Sequence, residues 1–256
     1  MIVPMDLSRA DHPAEADPSL DATVPTIDPN APTAADAFAR LAVELHEAPG
    51  VEETLQAVID FALQAESSSH AGVVLTVRSG RAEIGAVTDP AIEELYRLQI
   101  DSDAGPLITA LETRAVLVVQ DIADDTEWPA WRDKALELGI RSVLHVPMVL
   151  GNRPIGALSP YNEAPDSFSA DDEAIAHILA RHASVAVASA RQEENMAAAV
   201  DARKLVGQAM GILMERFDVD GDRAFAILRR YSQDNNRKLR DVAQELIDTR
   251  KLPRSQ

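Results

Sequence analysis

Apolar residues recur at helical spacing in the first two apolar-rich segments of the chain. In TAADAFARLAVELHEAP they include Phe38, Leu41 and Leu45, and in VEETLQAVIDFALQAES they include Leu55 and Ile59. Side chains three and four positions apart share one face of a helix. This spacing therefore predicts two amphipathic helices, the first of which ends before a proline.

The middle of the chain alternates between strand-like and helix-like patterns. HAGVVLTVRSG and RAEIGAVTD predict a hairpin, PAIEELYRLQI and GPLITALETR predict helices, and AVLVVQD predicts a buried strand. WPAWRDKALELGI predicts a helix with Pro129 near its start and Gly139 after its end, and RSVLHVPMVLGNRPIGALSPY predicts two strands that turn at Gly151. This order favours an α+β fold, an antiparallel sheet with flanking helices.

A long helix is predicted to begin after Ser169 and to run on past Met196. Ser169 is a suitable N-cap, and acidic residues follow it in the first turn. Alternating steps of four and three residues predict a coiled-coil seam with many polar members. Its positions are Ile178, His182, Val185, Ser189, Gln192, Met196, Ala199, Arg203 and Val206. Such a seam is typical of a dimer stalk, although a fortuitous pattern remains an alternative.

Three helical segments follow from residue 201 and predict a C-terminal three-helix bundle. Leu205, Ile212, Leu213 and Phe217 are the expected core positions of the first. Asp220 is the expected N-cap of the second, whose apolar positions are Ala224, Phe225, Ile227, Leu228 and Tyr231. The third begins near Lys238 and has apolar residues at Leu239, Val242, Ala243, Leu246 and Ile247.

Composition limits the function classes. Residues 1–32 hold six of the 15 prolines and six acidic residues, which predicts a disordered tail. The absence of cysteine excludes disulfides and thiolate catalysis. We find no run of 18 apolar residues and no signal-peptide pattern, so we expect a cytoplasmic protein without a membrane partner.

Charge is distributed unevenly along the chain. The formal net charge is −18, but residues 201–256 hold 12 of the 24 basic and only 9 of the 42 acidic residues. That C-terminal part has a net charge of +3, and the first 200 residues have −21. The basic end is therefore the candidate for an anionic partner.

Two families resemble parts of this sequence. RSVLHVPMV, GNRPIGALSPY and the segment from Asp121 to Pro129 make residues 33–190 similar to a GAF sensor domain. GQAMGILMER and AFAILRRYSQDNNRKLRDVAQELI make residues 201–253 resemble an ANTAR domain, with residues 191–200 as a helical linker. This resemblance implies a transcription antiterminator that binds paired short RNA hairpins, a homodimer, and an unknown small-molecule or protein signal at the GAF domain.

The expected RNA-binding residues form two groups, and each has a structural alternative. Gly207 and Gly211 each cost about 1 kcal/mol in a helix relative to alanine, and a bare strip admits either an RNA backbone or a packed helix. With their neighbours, this group is Arg203, Lys204, Gly207, Gln208, Met210 and Gly211. Related domains often have lysine where this chain has Met210. The second group is Ser232, Gln233, Asn235, Asn236, Arg237, Lys238 and Arg240, in what is otherwise an ordinary polar turn.

Other chemistry is disfavoured by the spacing of residues. An EF-hand loop starting at Asp218 requires glycine and glutamate where the chain has Arg223 and Arg229. The six histidines form no metal-ligand pattern, and a hydrogen-bonded core role is favoured over a pocket role for His145. A phospho-acceptor role for Asp121 lacks the lysine of a receiver domain, and a cyclic-nucleotide motif near residue 162 has the wrong spacing. We therefore expect no enzyme activity, no cofactor and no metal.

Two alternatives to RNA binding remain open. A DNA-binding regulator would use the C-terminal helices as a helix-turn-helix, with Lys238 and Arg240 as base-reading residues at the start of its recognition helix. The second alternative is a ligand-binding or scaffolding GAF protein whose C-terminal bundle only dimerises.

Overall fold

The computed structural model describes residues 34–65, 68–77 and 80–251. The predicted disordered tail lies outside these residues. The described chain has an α+β body, a C-terminal helical bundle and one continuous helix, α6 (Ala170–Phe217), that belongs to both.

The body is built on a five-stranded sheet in which all neighbouring strands are antiparallel, in the order β2-β1-β5-β4-β3. The strands are β1 (His70–Thr76), β2 (Ala82–Val87), β3 (Leu117–Val119), β4 (Ser142–Leu150) and β5 (Arg153–Asn162). Both predicted hairpins are confirmed. The prediction of a buried strand at AVLVVQD is wrong in extent, because β3 has only three residues and all are half-buried. As an edge strand it pairs with β4 alone.

Helices cover both faces of the sheet. On one face lie α1 (Ala34–Glu47), α2 (Val51–Ala65) and the first half of α6. On the other lie α3 (Pro90–Ser102), α4 (Pro106–Thr113) and α5 (Pro129–Glu137), with a 3₁₀ turn at Ile122–Asp124. Because strand side chains alternate between faces, Leu144 joins the first core and Val143 the second.

The predicted start of α6 is confirmed in atomic detail. The Ser169 hydroxyl accepts a hydrogen bond from the Asp172 amide at 3.3 Å, and the Asp172 carboxylate accepts one from the Ser169 amide at 2.8 Å. This reciprocal capping box satisfies two amides that a helix N-terminus leaves unpaired. The helix then continues for 48 residues without a break. None of the described helices is long and apolar enough to span a membrane.

The C-terminal bundle consists of the end of α6 with α7 (Gly221–Asp234) and α8 (Leu239–Thr249). Its buried core is Ala209, Leu213, Ala224, Leu228, Val242, Ala243 and Leu246. Asp220 caps α7, as predicted, by accepting from the Arg223 amide at 2.8 Å.

Two aromatic residues of the predicted bundle core are instead exposed, Phe217 by 50% and Phe225 by 39%. Positions four apart drift by about 40° around a helix, so Phe217 has rotated away from the face of Ala209 and Leu213. Phe225 lies about 100° from its buried neighbour Ala224. Their placement in the core was therefore wrong.

The predicted seam of α6 is exposed at eight of its nine positions, from Ile178 to Arg203. Val206 is the exception, because it is half-buried against the core of the chain's own bundle. A strict seven-residue repeat rotates around a straight helix of 3.6 residues per turn, and here that rotation carries it into the bundle. The last position of the seam was therefore wrong, and the dimer itself stays a prediction.

Candidate nucleic-acid interface

Gly207 and Gly211 lie on the side of α6 that faces away from Ala209 and Leu213 of the bundle core. A Cβ atom built on either glycine would have no atom within 4 Å, outside the adjacent helix backbone, among the described residues. Packing within the chain therefore does not require glycine at either position. The bare strip is open to another molecule.

Polar side chains border this strip. Arg203, Lys204 and Gln208 are exposed, and none forms an ion pair or side-chain hydrogen bond within the described part of the chain. Met210 differs from them, since its side chain is half-buried and packs against the bundle core. The strip thus combines open backbone with two free cations and one amide, which suits a phosphate chain.

The junction of α7 and α8 is shaped by local hydrogen bonds. The Ser232 hydroxyl donates to the Arg237 carbonyl at 2.6 Å, and the Asn235 amide group donates to the Tyr231 carbonyl at 2.9 Å. Asn236 has a φ of 48°, in the left-handed region that asparagine tolerates well. Arg237 pairs with Glu245 of α8. Several of the predicted binding residues therefore hold the loop in shape.

Other side chains of this junction remain available. Gln233, Asn236 and Lys238 are exposed and make no side-chain hydrogen bond or ion pair between residues 34 and 251, as far as these are described. Arg240 contacts only its neighbour Asp241, at 3.2 Å. Lys238 is the N-cap residue of α8, where the positive end of the helix dipole adds to its charge. The structure therefore places a free cation where an anion is favoured.

The structure also distinguishes cations that look alike in the sequence. On α7, Arg223 and Arg229 are exposed and unpaired among the described residues, whereas Arg230 lies 3.4 Å from Asp234. The (i, i+4) spacing of Arg230 and Asp234 was a visible signal of that pair. Arg223 and Arg229 are additional candidates that the predicted set did not include.

The α+β body contains a buried polar cluster between the sheet and α3. Tyr96 of α3 and Tyr161 of β5 have ring centroids 6.1 Å apart, and the His145 ring of β4 lies 5.8 Å from Tyr161. His145 Nδ1 hydrogen-bonds Ser159 Oγ at 2.7 Å. Gly72 makes room for this packing, since a Cβ there would lie 2.7 Å from Tyr96 Cε2.

The polar atoms of this cluster are deeply buried. Nε2 of His145 is buried without a partner among the described residues, and the hydroxyls of Tyr96 and Tyr161 interact only with each other and with Ser159. Burial raises the pKa of both tyrosines and lowers the pKa of His145 to about 3. All these groups are therefore neutral near pH 7. His145 was expected to be a hydrogen-bonded core residue. Its Nδ1 atom has such a bond, to Ser159, and its Nε2 atom does not.

The structure describes the surroundings of Asp121 and of the potential metal ligands, two kinds of site that the sequence disfavours. The carboxylate of Asp121 caps the 3₁₀ turn and pairs with Arg141 at 2.6 Å, and the hydrogen bonds from Arg141 lower the pKa of Asp121. No group of three or more potential metal ligands occurs in the described ranges.

Comparisons with known proteins match two parts of the chain to two different families. Residues 48–188 match the family model described as GAF domain, and residues 194–247 match the one described as ANTAR domain. No curated protein sequence matches.

Solved structures share the fold of the α+β body. The GAF domain from an Acinetobacter phosphoenolpyruvate-protein phosphotransferase aligns with a TM-score of 0.50 at 16% identity, covering 63% of this chain and 96% of that one. Free methionine-R-sulfoxide reductase from Neisseria meningitidis aligns with 0.50 at 17% identity, covering 62% and 90%. The photosensory core module of the Stigmatella aurantiaca phytochrome aligns with 0.52 at 11% identity, covering 77% of this chain and 43% of that one.

These likenesses support the fold, while the family matches identify the domains. The GAF match alone covers more than half of the chain. The chain belongs to the GAF-domain family and joins its sensor domain to a C-terminal ANTAR domain, the architecture of a GAF-controlled ANTAR regulator.

Proposed function

We propose that this protein is an RNA-binding transcription antiterminator. Its ANTAR domain binds paired short RNA hairpins and prevents a terminator from forming, under the control of the GAF domain. The observation that carries this proposal is the bare strip at Gly207 and Gly211 with the unpaired cations Arg203 and Lys204 beside it. Two positions without side chains allow a phosphate backbone to approach closely, and the cations beside them attract it.

The two groups of residues have different tasks in this proposal. The strip on α6 holds phosphates of the hairpin stem. Lys238 and Arg240 contact phosphates of the exposed loop, and the amides of Gln233 and Asn236 contact its bases. Specific recognition of RNA usually targets such loops, because their bases are unstacked and their edges are accessible. Ser232, Asn235 and Arg237 position the junction through the bonds described above, and Met210 supports the strip from the core side.

Binding of two hairpins suits a homodimer formed through α6 and the GAF domain. Each copy then holds one hairpin, and the second contact becomes intramolecular with a high effective concentration. Occupying both hairpins withholds the nucleotides that a competing terminator needs.

The GAF domain receives an unknown small-molecule or protein signal in this proposal. Tyr96, His145 and Tyr161 are fully buried and pack against one another, so they serve the core of the domain and present no exposed atom to that signal.

The RNA interpretation can be tested against a DNA-binding regulator and against a protein that only dimerises. We would measure binding of a two-hairpin RNA and of a duplex DNA of equal length in a gel-shift assay. The informative variant is Lys238→Glu, and its matched control is Lys251→Glu. Lys251 lies just beyond the opposite end of α8, and its substitution by glutamate makes the same change in net charge.

The RNA proposal predicts that Lys238→Glu weakens hairpin binding by tenfold or more, about 1.4 kcal/mol, and that Lys251→Glu does much less. Tighter binding of the duplex DNA would favour the DNA-binding regulator. Binding of neither nucleic acid would favour the protein that only dimerises.

A further inference from the structure

One aromatic side chain of α7 is exposed to solvent. Among the described residues, Phe225 is the only large apolar side chain that this helix exposes. Ala224 and Leu228 are buried in the bundle core, and Ile227 and Tyr231 are half-buried against it. Single exposed apolar side chains are common on protein surfaces, so the meaning of this ring depends on its neighbours.

An unpaired arginine lies beside this ring. Arg229 follows Phe225 by four residues, a spacing that places the two Cβ atoms about 6 Å apart on one side of the helix. Arg229 is exposed and forms no ion pair or side-chain hydrogen bond within the described ranges. The next residue, Arg230, points about 140° away from Phe225 and lies 3.4 Å from Asp234. Phe225 and Arg229 therefore form an aromatic and cationic pair on the surface of α7.

The same side of α7 continues into the junction with α8. Ser232 and Gln233 lie within about 80° of Phe225 around the helix, and the distance along the axis from Phe225 to Gln233 is about 12 Å. The Ser232 hydroxyl donates to the Arg237 carbonyl, and Gln233 is exposed. Phe225 and Arg229 are therefore continuous with the residues that the proposed function assigns to the hairpin loop.

We propose that Phe225 and Arg229 form a stacking site for one unpaired base of the hairpin loop. The base lies on the Phe225 ring, and the planar guanidinium of Arg229 contacts the same base. Recognition of RNA commonly uses loop bases that are splayed out and stacked on aromatic rings or arginine planes. The inference rests on the RNA binding of the proposed function. It adds a contact that holds a base by its face and therefore tolerates different base identities.

The charge and size of this surface favour RNA over a protein partner. A stable protein interface has a packed apolar centre and about 800 Å² on each side. Phe225 offers a single ring, and its side of α7 otherwise carries charged and polar groups. Asp222 is the acidic residue on this side, seven residues and about 10 Å before Arg229. Its carboxylate repels phosphates from the start of α7, so the loop strand is directed from Phe225 towards the junction.

Substitution of the ring tests the stacking site in the full-length protein. Phe225→Leu keeps an apolar side chain but removes the aromatic face, and it should weaken binding of the two-hairpin RNA by at least about tenfold. Phe225→Trp keeps an aromatic face and should bind nearly as well as the unmodified protein. Phe217→Leu, at the other exposed phenylalanine of the bundle, is the matched control and should change affinity by no more than about twofold. Thermal unfolding verifies that each variant is folded.

Substitution of the arginine tests the cationic half of the site. Arg229→Gln should weaken binding of the same RNA by at least about threefold, because the contact between the guanidinium and the base is lost. Arg230→Gln is the matched control, since it makes the same change in net charge on another side of α7 and should have a smaller effect.

RNA variants locate the base that stacks. Each RNA of a series carries an abasic nucleotide at one position of both loops. One of these positions should weaken binding to the unmodified protein by at least about tenfold. The same RNA should bind Phe225→Leu no more weakly than the intact RNA does, because the ring that the base would contact is already absent.

Three outcomes would overturn the inference. Equal hairpin affinity of Phe225→Leu and the unmodified protein would remove the stacking site and leave the proposed function intact. A smaller mass of that variant in light scattering would then assign the ring to a contact between copies of the chain. Additive losses at every abasic position would mean that no base contacts the ring. Absence of hairpin binding by the unmodified protein would overturn the proposed function as well, so the two failures are distinguishable.

Discussion

At the scale of single residues, Gly207 and Gly211 are unusual because α6 forgoes about 1 kcal/mol at each relative to alanine. A Cβ atom built at either position would have no described atom within 4 Å apart from the adjacent helix backbone. Neither glycine needs a positive φ, since both lie inside a regular helix. The proposed benefit of their missing side chains is therefore contact with another molecule.

Gly211→Leu tests this explanation directly. Leucine has a higher helix propensity than glycine, and a Cβ atom at this position has open space around it among the described residues, so thermal stability should be unchanged or higher. Hairpin affinity should fall by at least about tenfold, because the side chain blocks the backbone approach, while Gly211→Ala should have a smaller effect. Thermal unfolding and a hairpin titration measure the two quantities. Unfolding of Gly211→Leu would show that the glycine serves packing.

His145 provides a second test at this scale. Burial lowers its pKa to about 3 in the folded protein, whereas an unfolded histidine titrates near 6.5. Between these pH values only the unfolded chain takes up the proton, so the stability contributed by this residue rises with pH, by about 1.4 kcal/mol per unit.

His145→Gln keeps a polar group next to Ser159 and removes this titration. The free energy of unfolding, measured with urea from pH 5 to 6.5, should therefore rise less steeply in the variant than in the unmodified protein. Parallel slopes for the two proteins would mean that His145 is not buried as a neutral group.

At the scale of elements, local signals predicted most of the boundaries and long-range packing explains the misses. Ser169 and Asp220 were recognisable caps because each acts on amides within three residues. β3 was overestimated because its apolar run looks the same at the edge of a sheet as in the centre. Phe217 was misplaced because packing against α7 and α8 selects the face of Ala209 and Leu213 for the core, and Phe217 lies to one side of that face.

The Ser169 cap gives a prediction for α6. Ser169→Ala removes the hydroxyl that accepts from the Asp172 amide, and should lower the free energy of unfolding of the GAF domain by about 1 kcal/mol. Ser169→Thr retains the hydroxyl and should cost much less. Hairpin binding by the folded protein should not change, because the cap is about 40 residues before the strip. Equal stability of the alanine and threonine variants would contradict the role of the cap.

At the scale of the whole molecule, sequence reasoning located the candidate site but did not resolve its parts. Charge asymmetry pointed to the C-terminal domain, and the glycine spacing pointed to α6. The division into free and engaged residues needed three dimensions, because the pair of Arg237 and Glu245 and the position of Met210 depend on how α6, α7 and α8 pack. The polar cluster of the GAF domain was not predicted, because Tyr96 on α3 and Tyr161 on β5 come together only when α3 packs on the sheet.

The same charge distribution makes the strength of RNA binding depend steeply on salt. The +3 C-terminal part must attract RNA beside an N-terminal part of −21, so binding relies on local phosphate contacts that release counterions. The proposed site offers four cations that are free or weakly held: Arg203, Lys204, Lys238 and Arg240. Four phosphate contacts predict a slope of about −3 in a plot of log affinity against log salt concentration, a loss of roughly 60-fold between 50 and 200 mM.

Lys238→Gln should make this slope less steep by about 1, because one phosphate contact disappears, and Lys251→Gln should leave it unchanged. Titrations of the two-hairpin RNA at four or five salt concentrations give the slope for all three proteins. A slope near zero in the unmodified protein would contradict phosphate binding. Equal slopes for the two lysine variants would place the phosphate contacts away from the start of α8, where the helix dipole and the free ammonium of Lys238 together favour an anion.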